Sequence, residues 1–140
     1  MGSGIKYKCS QCKKEFEILE GIGFMDSSQA IMDYKNKFNL LSRYKYGINK
    51  ERLEEILKNK DYVLDENDYG YKTYQCPKCN DITNQFYFKL IPIKEKDKKF
   101  ISQFECDKCR TKLKKIKNLN KCPICGGIFE EDEIEFILWD

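Results

Sequence analysis

The sequence predicts an α+β fold: two four-cysteine ribbons of short antiparallel β-hairpins, the first carrying an inserted pair of helices. Three observations carry that reading. All eight cysteines fall in Cys-x-x-Cys pairs: Cys9 and Cys12, Cys76 and Cys79, Cys106 and Cys109, Cys122 and Cys125. The stretches beside the pairs alternate aromatic or β-branched residues with polar ones, which is the period of a strand. Between the first two pairs, apolar residues recur at steps of three and four, which is the period of a helix.

A Cys-x-x-Cys turn sets two sulfurs on one side of a tight loop, and two such turns face to face supply a tetrahedral tetrathiolate site. Four turns therefore predict two closed sites and two structural Zn2+ ions, with all eight cysteines as ligands. Iron held in the manner of rubredoxin is the competing metal. A secreted disulfide scaffold fits less well, because the start MGSGIKYKC lacks an apolar signal. A thioredoxin-type centre needs one pair opening a helix in a βαβ unit, not four pairs among strands.

Twelve residues separate Cys109 from Cys122, about one hairpin, so spacing assigns Cys106, Cys109, Cys122 and Cys125 to one site. Cys9, Cys12, Cys76 and Cys79 then close the other, across 63 residues. The alternative joins the second turn to the third, with 26 residues between them, and stays open on spacing alone. The assignment implies a first unit over 5–93 and a second over 100–140, the second ending in an acidic strand.

Along the chain, Gly2, Ser3 and Gly4 read as an added leader without function. The first turn and a strand end in a bend at Gly21-Ile22-Gly23-Phe24. A helix is predicted over about 28–46, capped by Ser27 or Ser28, with Ile31, Tyr34, Phe38 and Leu41 on one face and Gly47 as its stop. A second helix is predicted over about 50–60, with Asn49 as N-cap and Leu53, Ile56 and Leu57 on its apolar side. Its Glu54 and Lys58 stand at i,i+4. Both helices are expected to pack on the first ribbon. Asp65 to Gly70 reads as a polar turn, because Tyr69 and Cys76 occupy positions where a calcium loop needs oxygen ligands. Residues 82–93 return to strand character, and 94–99 form a charged linker or hairpin tip. The last strand, Glu133 to Trp139, is apolar on both faces and needs a packing partner.

Formal charge is +3. Eight thiolates and two zinc ions would bring the loaded chain to about −1, so overall charge makes no case for nucleic acid. Local charge does: Lys108, Arg110, Lys112, Lys114, Lys115, Lys117 and Lys121 face only Asp107 between Cys106 and Cys122. A basic ribbon tip of this kind could follow a phosphate backbone. It could equally be solvated, or neutralised by Glu130, Glu131, Asp132, Glu133 and Glu135. Tyr69, Tyr71, Tyr74, Phe86, Tyr87 and Phe88 cluster near the second turn, where exposed rings would stack bases or anchor a protein, and buried ones would pack on the helices. The chain has no histidine, which removes the commonest general base. With every cysteine ligating metal, no thiol remains as nucleophile. A non-enzyme is expected, without a small-molecule substrate, without a membrane segment, and cytoplasmic.

The opening YKCSQCKKEFEILEGIGF, the CPKC turn and the terminal CPICGG resemble small bacterial zinc-ribbon proteins of the rubredoxin-like, four-cysteine class. In that class the turn cysteines are the metal ligands, and the eight cysteines here match those positions. Lys13, Asn80 and Arg110 depart from the glycine that often follows the second cysteine of a turn. The resemblance implies a metal-ribbon fold and no activity. The expected role is a zinc-binding interaction protein that contacts nucleic acid or a nucleoprotein complex. The alternatives are a protein adaptor or inhibitor, using aromatic strand and helix faces, and a rubredoxin-like electron carrier.

Overall fold

Backbone pairing needs no side chains, and the chain uses this from its second residue. The computed structural model describes residues 2–23, 26–94, 98–116, 121–129 and 135–139. Strand β1 (Gly2–Lys8) pairs antiparallel with β2 (Glu15–Gly21), and on its other edge with β9 (Glu135–Trp139). Gly2, Ser3 and Gly4 are thus part of the sheet, opposite Gly21, Glu20 and Leu19 on one side and Trp139, Leu138 and Ile137 on the other. The last strand finds its partner here. Alternation in β2 buries Phe16 and Ile18 and exposes Glu15 and Glu17.

The long helix expected over 28–46 is a single turn and a half, α1 (Ser28–Met32). Ser27 caps it as the sequence suggests, accepting the Ala30 N–H at 3.3 Å. Short polar side chains then capture the backbone. Asp33 Oδ1 accepts the Lys35 N–H, Asn36 Oδ1 that of Phe38, and Asn39 Oδ1 that of Ser42. Two Asx turns and a third side-chain bond spanning three residues, all within ten residues, outcompete the helix, although its apolar spacing is present. Ile31 and Leu40 are fully buried, while Phe38 is exposed. The second helix forms as expected, α2 (Lys50–Asn59), burying Leu53, Ile56 and Leu57, with Lys58 Nζ 3.1 Å from Glu54 Oε1. Asn49 is its N-cap in a left-handed conformation, but its side chain makes no capping bond.

Strands β4 (Gly70–Gln75) and β5 (Ile82–Tyr87) form the hairpin of the second turn. They join the first sheet in the order β5-β4-β2-β1-β9, and β8 (Lys114–Ile116) adds to β4. A smaller sheet runs β3 (Tyr62–Leu64), β6 (Lys89–Pro92), β7 (Phe100–Ile101). β2 touches β4 by strand pairing only at Gly21 and Tyr71. Asn84 closes the gap between them. Its Oδ1 accepts the Leu19 N–H at 3.0 Å, and its Nδ2 donates to the Glu17 carbonyl at 2.8 Å, as a neighbouring strand would.

The main core holds Ile31, Leu40, Tyr44, Leu53, Phe86, Phe88, Leu90 and Phe104 with Cys76 and Cys106. Both helices contribute to it, so they pack around the second and third turns: against the β4–β5 half of the expected first ribbon, and not on its β1–β2 half. A satellite core holds Cys9, Phe16, Ile18, Cys122 and Phe129. Tyr44 organises the main core. Its ring meets Phe88, Phe100 and Phe104 edge-on, with centroids 5.4, 6.0 and 5.2 Å away. Its hydroxyl lies 2.7 and 2.8 Å from the carbonyls of Ile48 and Gln103, which share its single proton, and it accepts the Gln103 N–H. Arg43 pairs with the buried Asp26 and lies over the Phe86 ring, 4.8 Å from its centroid. Among the described residues no helix is long and apolar enough to cross a membrane.

Candidate metal centres

All four turns share one backbone design. The amide of the residue after the second cysteine donates to the first cysteine's carbonyl: Lys13 to Cys9, Asn80 to Cys76, Arg110 to Cys106, Gly126 to Cys122, at 2.8–3.1 Å. The first cysteine's own amide donates across the turn to Lys14, Asp81, Thr111 or Gly127. Closing both bonds demands a left-handed residue after the second cysteine, and φ there is +62°, +62°, +63° and +74°. Only Gly126 takes that conformation without strain. Lys13 and Arg110 bear the strain in the other turns, and Asn80 bears less, since asparagine tolerates the region. Lys13→Gly or Arg110→Gly is therefore expected to stabilise the metal-loaded protein by about 1 kcal/mol, measured by denaturant midpoint, and Asn80→Gly by less.

The turns assemble as first with fourth and second with third. Cys9, Cys12, Cys122 and Cys125 form one group, Cys76, Cys79, Cys106 and Cys109 the other, the sulfurs of each lying within 4.8 Å of one another. This differs from the pairing that spacing favours, and the reason lies in strand pairing. β9, which follows the fourth turn, adds to β1, which precedes the first. Cys9 bridges to Phe129, and the Ser10 amide donates to Ile128. The third turn sits in its own small hairpin, where Glu105 bridges Lys112 and the Leu113 amide donates to Phe104. That hairpin faces the β4–β5 hairpin, so the second and third turns meet.

The geometry fits a tetrahedral ion. Bonds of ~2.3 Å from zinc to sulfur imply sulfur–sulfur edges of about 3.8 Å. The observed separations are 3.4 Å for Cys9–Cys125, 3.6 Å for Cys12–Cys122, 3.5 Å for Cys76–Cys109 and 3.4 Å for Cys79–Cys109. Every position in each group is a sulfur, which is the donor set of a soft or borderline metal. The second centre also has donors around it: the Cys79 amide lies 3.3 Å from the Cys76 sulfur, and the Thr111 Oγ1 3.1 Å from that of Cys109.

Four sulfurs this close cannot all ionise without a cation. In the first centre the Cys12 N–H and burial, acting in opposite directions, leave the Cys9 thiol lowered to about 6. Cys12, despite an N–H from Lys14, is raised to about 11 by burial and by the neighbouring sulfurs of Cys122, Cys9 and Cys125. The second centre repeats the division. Thr111 lowers Cys109 to about 6, and the Cys109 sulfur, with burial, raises Cys79 to about 12. At neutral pH a metal must displace the protons of Cys12 and Cys79. Binding strength therefore rises with pH, about tenfold per unit for each proton released, and falls more steeply below pH 6 as Cys9 and Cys109 also protonate. The centres differ in shielding: Cys12 and Cys125 are exposed, Cys79 and Cys109 half-buried. A competing chelator is expected to remove the metal of the first centre well before that of the second, giving two phases in a zinc-dye assay.

The basic segment is not one ribbon tip. It connects the two centres, leaving the second at Cys109 and entering the first at Cys122. Lys108 pairs with Asp81, Arg110 lies 4.0 Å from Glu105, and Lys115 sits over the Tyr87 ring at 4.3 Å. Lys112, Lys114 and Lys121 are exposed. Lys117 lies outside the described residues, as do Phe24 and the acidic Glu130, Glu131, Asp132 and Glu133. Of the aromatic cluster, Tyr74, Phe86 and Phe88 are buried, and Tyr69 and Tyr71 pack against the main core. These five rings pack in the interior, and Tyr87 is half-buried.

Fold and site together define an α+β protein with two four-cysteine centres, each able to hold a metal ion. No family model matches the chain, and neither a curated protein nor a solved structure matches it.

Proposed function

We propose that this chain is a non-enzymatic interaction protein whose two centres hold structural Zn2+ and whose basic connector contacts nucleic acid or a nucleoprotein complex. The closure of both centres supports the first half: four sulfurs complete a tetrahedron and leave no position for substrate or water. One observation supports the second. Lys112 and Lys114 are exposed on the connector, and Lys115 joins Lys72 over the Tyr87 ring, 4.3 and 5.5 Å from its centroid. Lys115 on that ring, with exposed Lys114 beside it on β8 and Lys112 just before the strand, presents phosphate with several cations at once, while Lys72 is held by Asp68 at 2.7 Å. Zinc is proposed over iron because Lys13, Asn80 and Arg110 stand where a glycine often follows the second cysteine of a rubredoxin-like turn; the tetrahedron of sulfurs fits either ion. Absorbance decides that point, since a ferric tetrathiolate is red.

The binding test is fluorescence anisotropy of the zinc-loaded protein with single-stranded RNA, single-stranded DNA and duplex DNA, across a salt series. Binding that weakens steeply with salt and disappears in Lys112→Glu/Lys114→Glu/Lys115→Glu/Lys117→Glu supports the reading. No binding at low salt ends it. The aromatic strand face offered to a protein partner is largely core, so the adaptor alternative needs another surface.

A further inference from the structure

The small sheet supplies that surface. Its inner face buries Tyr62, Leu64, Leu90 and Phe100 in the main core. Its outer face, set by strand alternation, carries Val63 on β3 with Asp61 and Asp65 just before and after it, Lys89, Ile91 and Ile93 on and just after β6, and Ile101 on β7. Val63, Ile93 and Ile101 are 50%, 63% and 49% exposed, and Ile91 is half-buried. Soluble surfaces scatter such residues singly, whereas these lie side by side. Register places Val63 opposite Ile91. One step along, the Asp65 amide donates to the Lys89 carbonyl, so those two side chains are also neighbours across the strands. Among the described residues Lys89 and Asp65 make no ion pair.

We infer that this face binds a second copy of the chain, through a twofold axis parallel to the strands between β3 and β6. The charges select that occupant. Rotation about such an axis lays β3 of one copy over β6 of the other. Val63 then covers the second copy's Ile91, while Asp65 meets the second copy's Lys89, each contact occurring twice. Asp65 and Lys89, exchanged by the axis that superposes Val63 and Ile91, make that end of the patch complementary to itself. A partner with a rim of one sign would meet a like charge at Asp65 or at Lys89. Ile93, which the same axis sets against the second copy's Asp61, and Ile101 lie at the margins of the contact, at the ~10 Å separation of sheets packed face to face.

Sedimentation of the metal-loaded full chain from low-micromolar to near-millimolar concentration tests this. A monomer–dimer equilibrium is expected. Asp65→Lys and Lys89→Glu, each alone, are expected to weaken it by about tenfold or more, since each puts like charges face to face twice. Mixing the two single variants restores a dimer, because every contact in the mixed pair is again acid on base. The same holds for Asp65→Lys/Lys89→Glu in one chain. Asp65 and Lys89 are both partly exposed, and metal content reports that the variants fold. A wild-type chain that stays monomeric throughout overturns the inference, and so does a dimer that both single variants leave unchanged. Failure of the nucleic-acid reading would leave this result untouched, because the connector and this face share no residue.

Discussion

Replacing Cys9 and Cys122 together by serine is expected to remove one metal ion per chain and leave the other bound, whereas Cys9→Ser with Cys76→Ser removes both. Metal analysis or native mass spectrometry reads the difference directly. The two double variants delete the same number of thiolates, so only the assembly of the turns separates them. With the first turn joined to the fourth, Cys9 and Cys122 belong to one site. With the first joined to the second, the outcomes would be reversed. The effect is large because a structural tetrathiolate contributes about 10–16 kcal/mol of apparent binding free energy at neutral pH, much of which is folding free energy. Loss of the Cys9 centre is expected to free the first hairpin while the main core stays folded, because Cys9 and Cys122 lie in the satellite core. Loss of the Cys76 centre is expected to unfold far more, since Cys76 and Cys106 sit among the buried aromatics. Circular dichroism in the near ultraviolet, dominated by those rings, distinguishes the two cases.

Gly47→Ala is expected to destabilise the loaded protein by about 3 kcal/mol or more, a cost of overpacking a core that cannot yield. The backbone conformation there is ordinary; the need is for space. A Cβ on residue 47 would fall within the ring of Tyr44, against its Cγ, Cδ2 and Cε2 atoms. That ring cannot step aside, because Phe88, Phe100 and Phe104 surround it and its hydroxyl is held by Ile48 and Gln103. Tyr44→Phe isolates the polar share. It leaves the Gln103 N–H and the Ile48 carbonyl without that partner, which should cost about 2–4 kcal/mol. Gly126→Ala is the control. The space beside it is empty, so only its φ of +74° resists the side chain, at about 1 kcal/mol. Chemical denaturation of the three variants orders them. A Gly47→Ala midpoint no lower than that of Gly126→Ala would contradict the packing seen around Tyr44.

Much of the local chemistry was legible in the residues. The eight candidate ligands, their turn geometry, the helix at 50–59 with its Leu53, Ile56 and Leu57 face, and the strands beside the turns are written in spacings of two to four residues. Physical interactions over that range are few, and one pattern excludes the others. The helix over 28–46 shows the limit of such reasoning. Its apolar period was correct for burial at Ile31, but Asp33, Asn36 and Asn39 offered the backbone local partners, and these prevailed over the apolar period.

What the sequence by itself determined was that four thiolate pairs would close two centres. A Cys-x-x-Cys turn is built by its own backbone hydrogen bonds, whatever lies beyond it. Which pairs would meet was decided only by the tertiary structure. Every turn presents the same two sulfurs, so the turns themselves cannot discriminate among partners. The choice falls to contacts far apart in the chain: Gly2 to Lys6 against Glu135 to Trp139, Lys114 to Ile116 against Thr73 to Gln75, and Asn84 against the edge of β2. Those pairings turn a lysine-rich segment that reads as a single ribbon tip into a link between two metal centres.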